Sequence, residues 1–346
     1  MASPDSLNPT GIKIMPEPAL LKLKDGVARG RDERLVIGGG MTLKKLEPYL
    51  AGMGLLDEEL FEQFRAFPAF QGVNEFPGVK DNGPEIKEEK CKVCESLGIN
   101  GFIQKGGEGS NKLVVMSQGF MVDRNTNNNR LVRYFLNRAG IDVLNFDYFE
   151  DGKAVDVSFQ KRIGDLTNII RGYSKKYSKI GGYGASVGGS ALWVAASLLK
   201  KERIELSAIA NRTIIPDLLT GLANRLNLTP QFITAHVEQV CKIVNESMQG
   251  GRVKVSPKEL EEMVSGKFDL NKYEVGCSML DIHGSGDTIA GMKTVRNAMN
   301  RARQFNPKTQ LIEIAGVSHD NEPPKDYTMQ LYLLTSFLCK HMFEGS

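Results

Sequence analysis

From about residue 100 onward, short apolar segments alternate with segments of helical periodicity, and this alternation constrains the fold more than any other feature of the chain. The helical segments run for about 10–15 residues, long enough for a crossover connection between parallel strands. The strand-like segments lie at residues 112–116, 141–146, 178–180, 204–210, 277–283 and 309–315. The pattern predicts an α/β fold with a mainly parallel central sheet and helices on both of its faces.

One long helical segment, residues 212–275, interrupts the alternation. Pro216, Thr229-Pro230 and Ser256-Pro257 supply helix-start signals, since proline is favoured in the first helical turn and Ser or Thr at the N-cap. The segment falls between two predicted strands. We therefore interpret it as a helical cap inserted over the carboxyl edge of the sheet.

The cap divides the predicted core into residues 105–211 and 276–346. Residues 1–104 form an N-terminal extension of uncertain structure. Their start is polar and rich in proline. Helical patterns at about 43–51 and 57–67 are the clearest features inside the extension.

Composition excludes several classes of protein. The chain has 346 residues, of which 41% are hydrophobic and 25% charged, and this is ordinary globular usage. The formal net charge of +3 predicts no general attraction to nucleic acid. There is no signal-peptide pattern and no apolar stretch of about 20 residues that could span a bilayer. We therefore expect a soluble, cytoplasmic protein, with export by a non-classical route left open.

Gly184-Ala185-Ser186-Val187-Gly188 is a G-x-S-x-G pattern between a predicted strand and a predicted helix. A sharp strand-to-helix turn holds its serine in a strained conformation, and the flanking glycines remove side chains that would clash. The hydroxyl then projects at the carboxyl edge of the sheet, near the positive end of a helix dipole. Ser186 is therefore a candidate nucleophile, and the alternative is a glycine-rich turn with an incidental serine.

A serine nucleophile needs a base, and the base needs an orienting acid. His319 follows the last predicted strand and Asp287 follows the strand before it, so both lie beyond carboxyl ends of strands, where sites of parallel sheets form. The alternatives are a loop histidine and a turn aspartate. His283, which ends the strand before Asp287, is interpreted as a structural residue.

With these residues the chain resembles the α/β-hydrolase superfamily over about residues 105–343. The resemblance implies an eight-stranded type of sheet and a Ser186–His319–Asp287 relay. It also implies an oxyanion hole made by the backbone N–H groups of Val187 and Phe120. Gln118 stands in the loop before Phe120, at a position where histidine is common in the family, and the subfamily is not identified.

The resemblance leads to a first hypothesis of a serine hydrolase, similar to an esterase, lipase or thioesterase, that cleaves a small carboxylic ester or thioester through an acyl-enzyme. It requires no cofactor or metal. Acyltransferase or peptidase activity is an alternative, as is a slow binding protein or receptor on a hydrolase scaffold. Gln118, Phe232 and His236 are candidates for substrate contacts, with packing as the alternative for His236. The oligomeric state is not predicted.

Cys91-x-x-Cys94 is a lone pair of thiols. A structural zinc site would need two further ligands, and the sequence has no second pair at a suitable spacing. We therefore interpret the two cysteines as thiols on one helix face rather than as a metal site.

Overall fold

The structure is a computed structural model of the 346-residue chain. It describes residues 20–22, 27–30, 35–38, 43–66, 88–119, 127–147, 149–150, 153–154, 158–247, 255–319 and 324–344.

The strands of the described residues form a large sheet and a small hairpin. The sheet strands are β1 Leu20–Lys22, β2 Val27–Gly30, β3 Leu35–Ile37, β4 Glu88–Lys90, β5 Asn100–Gln104, β6 Lys112–Ser117, β7 Asp142–Asp147, β10 Lys179–Ala185, β11 Ala208–Arg212, β12 Ser278–Gly284 and β13 Thr309–Ile314, and the hairpin strands are β8 Phe149–Glu150 and β9 Lys153–Ala154.

The helices of the described residues are α1 Leu43–Met53, α2 Glu58–Ala66, α3 Lys92–Ser96, α4 Asn127–Arg138, α5 Phe159–Tyr173, α6 Val187–Lys201, α7 Leu218–Leu226, α8 Pro230–Ala235, α9 Val237–Ser247, α10 Pro257–Val264, α11 Met292–Phe305 and α12 Pro324–Phe343, and a 3-10 turn lies at Leu270–Lys272. Within the described ranges, none of them combines the length and apolarity that crossing a membrane requires.

The large sheet has eleven strands in the order β1-β2-β3-β13-β12-β11-β10-β6-β7-β5-β4. All pairings from β3 across to β7 are parallel, and the pairings at both edges are antiparallel. The structure thus confirms the predicted mainly parallel sheet. The sheet is larger than the eight-stranded type that the family resemblance implied, because β1, β2 and β3 add to one edge; eight of its strands lie between residues 88 and 314.

Helices cover both faces of the sheet, because successive strand residues are apolar on opposite sides. In β12, Met279 packs on the face that carries α3, α5, α6 and α11, with Trp193 at its centre. The next residue, Leu280, packs on the face that carries α1, α2, α4 and α12, where Tyr332 is fully buried. A strand buried on both faces has a continuous apolar run, which is the pattern seen in the sequence.

The N-terminal extension reaches both edges of the sheet. β1, β2 and β3 add to the edge beyond β13, while β4 and β5 form the opposite edge, so the sheet begins before the residue 105 boundary drawn from the sequence. The edge strand β4, Glu88–Lys90, carries exposed polar residues and shows no alternation of hydrophobic and polar residues in the sequence. The two predicted helices are confirmed as α1 and α2, and the ring of Phe64 in α2 stacks on Phe135 at 3.7 Å between ring centroids.

Residues 212–275 hold helices α7 to α10. The three start signals predicted α7, α8 and α10, whereas α9 was not predicted and is separated from α8 at His236. Thr229 and Ser256 are N-caps with proline in the first turn, and α7 begins just after Pro216 with Asp217 as its cap. The helices enclose a hydrophobic cluster of their own, which we call the insertion cluster: Ala223, Ile233, Val240, Cys241, Val244, Val255, Leu260 and Val264. The insertion touches the carboxyl edge of the sheet, where Asn224 Nδ2 donates a 2.9 Å hydrogen bond to the carbonyl oxygen of Ile289.

Candidate active site

Ser186 stands between the end of β10 and the start of α6. Its backbone angles are φ 51° and ψ −128°, a region that a residue with a side chain adopts only under constraint. The constraint includes a 2.8 Å hydrogen bond from the Ser186 N–H to the carbonyl oxygen of Arg212 at the end of β11. The turn thus has the strained backbone that a nucleophile elbow requires.

Both glycines of the G-x-S-x-G pattern stand where the structure leaves no room for a side chain. A Cβ atom on Gly184 would lie 2.4 Å from the Cα of Gly189. A Cβ atom on Gly188 would lie 2.2 Å from the carbonyl oxygens of Ser117 and Gln118. Real Cβ atoms do not approach other atoms this closely, so the two glycines are required by close backbone packing.

The structure brings together three side chains that are far apart in the sequence. Ser186 Oγ lies 2.9 Å from His319 Nε2, although 133 positions separate the two residues. His319 Nδ1 lies 2.7 Å from Asp287 Oδ2. A carboxylate accepts hydrogen bonds, so Nδ1 carries the proton and Nε2 is free to accept the proton of the serine hydroxyl.

The acid is fixed by the turn that carries it. Asp287 Oδ1 accepts backbone hydrogen bonds from Ile289 at 2.8 Å and from Ala290 at 2.9 Å, leaving Oδ2 for the histidine. The loops that carry the acid and the base pack closely, because a Cβ atom on Gly284 would lie 2.1 Å from the carbonyl oxygen of Val317. Both loops follow carboxyl ends of adjacent parallel strands, β12 and β13.

A second histidine, His283, contacts the same acid. Its side chain is fully buried, with Nε2 at 3.0 Å from Asp287 Oδ2 and at 2.9 Å from the carbonyl oxygen of Ala290. Its Nδ1 lies 3.3 Å from Asp281 Oδ2. Sequence reasoning treated His283 as structural and overlooked the available signal: residues two apart in a strand share a face, which places Asp281 and His283 side by side.

The charges of this cluster set its protonation. Burial opposes ionisation of Asp287, but hydrogen bonds from His283 and His319 outweigh burial and hold the pKa of the carboxyl well below its usual range. Burial also opposes a charge on His283, but Asp281 and Asp287 outweigh it and raise the pKa of His283 to about 10. Asp287 is therefore ionised at neutral pH.

Val187, Phe120 and Gln118 were predicted to form or adjoin the oxyanion hole, and the structure describes two of them. Val187 is the first residue of α6, so its N–H belongs to the group that has no partner inside the helix. Phe120 lies outside the described residues. Gln118 is buried, its side-chain amide donates to Asn145 Oδ1, and its carbonyl oxygen accepts a 3.2 Å hydrogen bond from Arg162. These contacts fix the position of Gln118.

The other two predicted substrate contacts lie on the insertion. Phe232 in α8 is half-buried against the insertion cluster. His236, which caps the end of α8, is exposed, and the centroid of its ring lies 4.6 Å from that of Phe232. A role for either side chain in binding substrate stays a prediction.

Cys91 and Cys94 are both buried. Cys91 is the N-cap of α3, where its Sγ accepts a 3.2 Å hydrogen bond from the backbone N–H of Cys94. Across the part of the chain that the structure describes, no group of three His, Cys, Asp or Glu residues is placed to hold a metal ion. The contacts of the pair are those of a helix cap.

The sequence matches no protein-family model and no curated protein. The structure is similar to Est1E from Butyrivibrio proteoclasticus, with a TM-score of 0.51 and 18% identity, covering 75% of this chain and 98% of that one. It is also similar to carboxyl esterase 2 from the mycorrhizal fungus Tuber melanosporum, with a TM-score of 0.53 and 14% identity, covering 83% of this chain and 99% of that one. Together with the order and direction of the strands, these similarities show that the chain has the α/β-hydrolase fold.

Proposed function

We propose that this protein is a serine hydrolase that cleaves a carboxylic ester or thioester through an acyl-enzyme. The observation that carries the proposal is the unbroken chain of contacts from Ser186 Oγ to His319 at 2.9 Å and from His319 to Asp287 at 2.7 Å. A nucleophile, a base and an orienting acid in this arrangement are the parts that acyl transfer to serine needs. One of the two similar structures above is a carboxyl esterase, and its activity supports the same reaction class here.

In the proposed reaction, Ser186 Oγ attacks the acyl carbon while its proton passes to His319 Nε2. The leaving group departs with that proton, and the acyl chain stays on Ser186 as an ester. His319 then takes a proton from water as the water attacks the acyl carbon, and it returns that proton to Ser186 Oγ as the carboxylic acid product leaves. Throughout, Asp287 keeps the second ring nitrogen of His319 protonated and balances the positive charge that forms on the ring.

The negative charge on the tetrahedral intermediate needs hydrogen-bond donors. We assign the first to the Val187 N–H, which stands at the N-terminus of α6, where the helix dipole also favours negative charge. The second is the Phe120 N–H. The contacts of Gln118 and the close approach of its carbonyl oxygen to Gly188 would hold Gln118 against the helix start.

The decisive experiment compares wild type with Ser186→Ala, His319→Ala and the double variant on aryl esters and thioesters of graded acyl length. Each single variant should lose nearly all activity, and the double variant should be little worse, because the relay acts as a unit. Ser197→Ala, a buried serine of the same helix, is the matched control and should keep wild-type rates.

A fluorophosphonate probe extends the test beyond the choice of substrate. Labelling of wild type and of Ser197→Ala, with none of Ser186→Ala, supports a reactive serine. A wild-type protein that is neither labelled nor active on any ester would contradict the proposal and favour a binding protein on a hydrolase scaffold. Added alcohols or amines that divert the acyl group would assign the acyltransferase alternative.

A further inference from the structure

We propose that His283 is a positioning residue for this reaction: its Nε2 forms an ion pair with Oδ2 of Asp287, and its positive charge, placed between Asp281 and Asp287, keeps the acid ionised. The inference rests on the proposed function, since it assigns His283 to the same relay. It adds a residue that touches neither Ser186 nor the acyl group and acts through Asp287.

The first step is the protonation of the ring. Nε2 of His283 faces Asp287 Oδ2 at 3.0 Å and the carbonyl oxygen of Ala290 at 2.9 Å. Both are acceptors, so Nε2 carries a proton. Nδ1 faces Asp281 Oδ2 at 3.3 Å, another acceptor when ionised. The Nδ1 contact is an ion pair rather than an aligned hydrogen bond, and carboxylates this close to both nitrogens stabilise the ring as an imidazolium through their charge.

The second step is the charge balance around the ring. Asp281 and His283 are fully buried, and the Asp287 side chain is also closed to solvent. Two buried carboxylates beside a neutral ring would be strongly disfavoured, whereas a charged ring between them compensates both. With the pKa of His283 raised to about 10, the positive charge persists through the neutral pH range.

The third step considers the other charged groups around the ring. Glu313, the register partner of His283 on β13, is paired with Arg296 of α11 at 2.6 Å. On β11, the register partner of Asp281 is the uncharged Asn211. His319 meets the cluster through Asp287. Among the described residues, Asp281 and Asp287 are thus the carboxylates within ion-pair distance of His283.

The consequence is a carboxylate with a partner on every side. Asp287 Oδ1 accepts two backbone N–H groups, and Oδ2 faces His283 and His319 together. The acid therefore has one orientation, and the ring of His319 is aimed at Ser186 by a fixed acceptor. Loss of His283 frees one side of Oδ2, which lowers the fraction of molecules in the reactive geometry and so lowers kcat rather than raising KM.

The test uses His283→Ala, which removes donor and charge, and His283→Gln, which keeps an amide donor without the charge. We expect His283→Ala to lower kcat by about 10- to 100-fold at unchanged KM, since a buried charged partner of Asp287 is lost. His283→Gln should recover part of the loss. His341→Gln, which removes a buried histidine paired with Glu344 on the other face of the sheet, should keep wild-type kinetics.

The pH profile separates charge from positioning. The proposed reaction needs Nε2 of His319 unprotonated, and loss of the nearby His283 charge makes a positive charge on His319 less costly. The acidic limb of kcat/KM should therefore move to higher pH by about 1 pH unit in both His283 variants. Equal kcat and an unmoved limb in His283→Gln, with wild type active, would overturn the inference and leave the proposed function intact.

A measurement on the wild-type protein does not depend on activity. Nitrogen-15 NMR of labelled histidines, with His283→Gln to assign the signal, should show both ring nitrogens of His283 protonated at pH 8. A neutral His283 ring at pH 7 would overturn the inference, even if the variants were too unstable to study. An inactive wild type with a charged His283 would refute the proposed function instead.

Discussion

The backbone strain at Ser186 predicts a gain of stability on replacement by glycine. At φ 51° and ψ −128° a side chain costs about 1–3 kcal/mol, which glycine does not incur. Glycine also gives the unfolded chain more conformational freedom, which offsets about 0.4–1 kcal/mol of this gain in stability. Ser186→Ala keeps the Cβ atom and loses the same hydroxyl contact with His319. Ser186→Gly should therefore be more stable than Ser186→Ala by about 0.5–2 kcal/mol.

The assay is thermal unfolding of the two variants side by side. An unfolding entropy of about 2.1 cal/mol/K per residue makes ~0.7 kcal/mol per degree for a chain of this length, so the difference in Tm should be about 1–3 °C. Both variants should be inactive on esters. Arg203→Gly, at an exposed turn residue with φ 61°, is the matched control and should gain stability while keeping activity. A Tm of Ser186→Gly at or below that of Ser186→Ala would refute the argument from strain.

Three further outcomes follow from contacts already described. Gly188→Ala would push the carbonyl oxygens beside it by about 1 Å. A displacement of this size next to the proposed oxyanion hole should lower kcat by about 100-fold. A variant with the kcat of wild type would show that the loop adapts. Phe64→Ala should lower the free energy of unfolding by about 3–5 kcal/mol, because Phe64 stacks on Phe135 and is 2% exposed. Denaturant unfolding measures this difference. A loss below about 1 kcal/mol would mean that the N-terminal helices add little to the stability of the core. Phe232→Ala should change KM and the preferred acyl length more than probe labelling of Ser186; equal preference across chain lengths in variant and wild type would remove Phe232 from the substrate site.

The local sequence patterns of the chain were sufficient to predict the architecture of its core. Apolar runs long enough for buried strands, separated by helical periodicity, predicted the parallel sheet, because backbone preferences and side-chain burial act over a few residues. The same locality made Ser186 recognisable, since its glycines lie two positions away on each side. The order of Ser186, Asp287 and His319 along the chain followed from placing each at a strand end.

The N-terminal extension could not be placed in this way. Its strands in the described residues have three or four residues up to β3, too few for a period of two to be recognised. Their partners are set by pairing across the sheet, and Leu35 of β3 pairs with Ile312 of β13, 277 positions later. Helices α1 and α2 were visible as periodic segments, but only the packed structure decided that they lie against α12.

The contacts of His283 give the clearest example of what the sequence and the tertiary structure each determine. The sequence by itself determined that a histidine lies near the end of β12 and that Asp281 precedes it on the same face. Only the tertiary structure decided that the turn after β12 folds back, so that Asp287 Oδ2 meets His283 and His319 at once. A charged ring becomes favourable there because burial removes water and brings two carboxylates to it, and neither condition exists in a local stretch of chain.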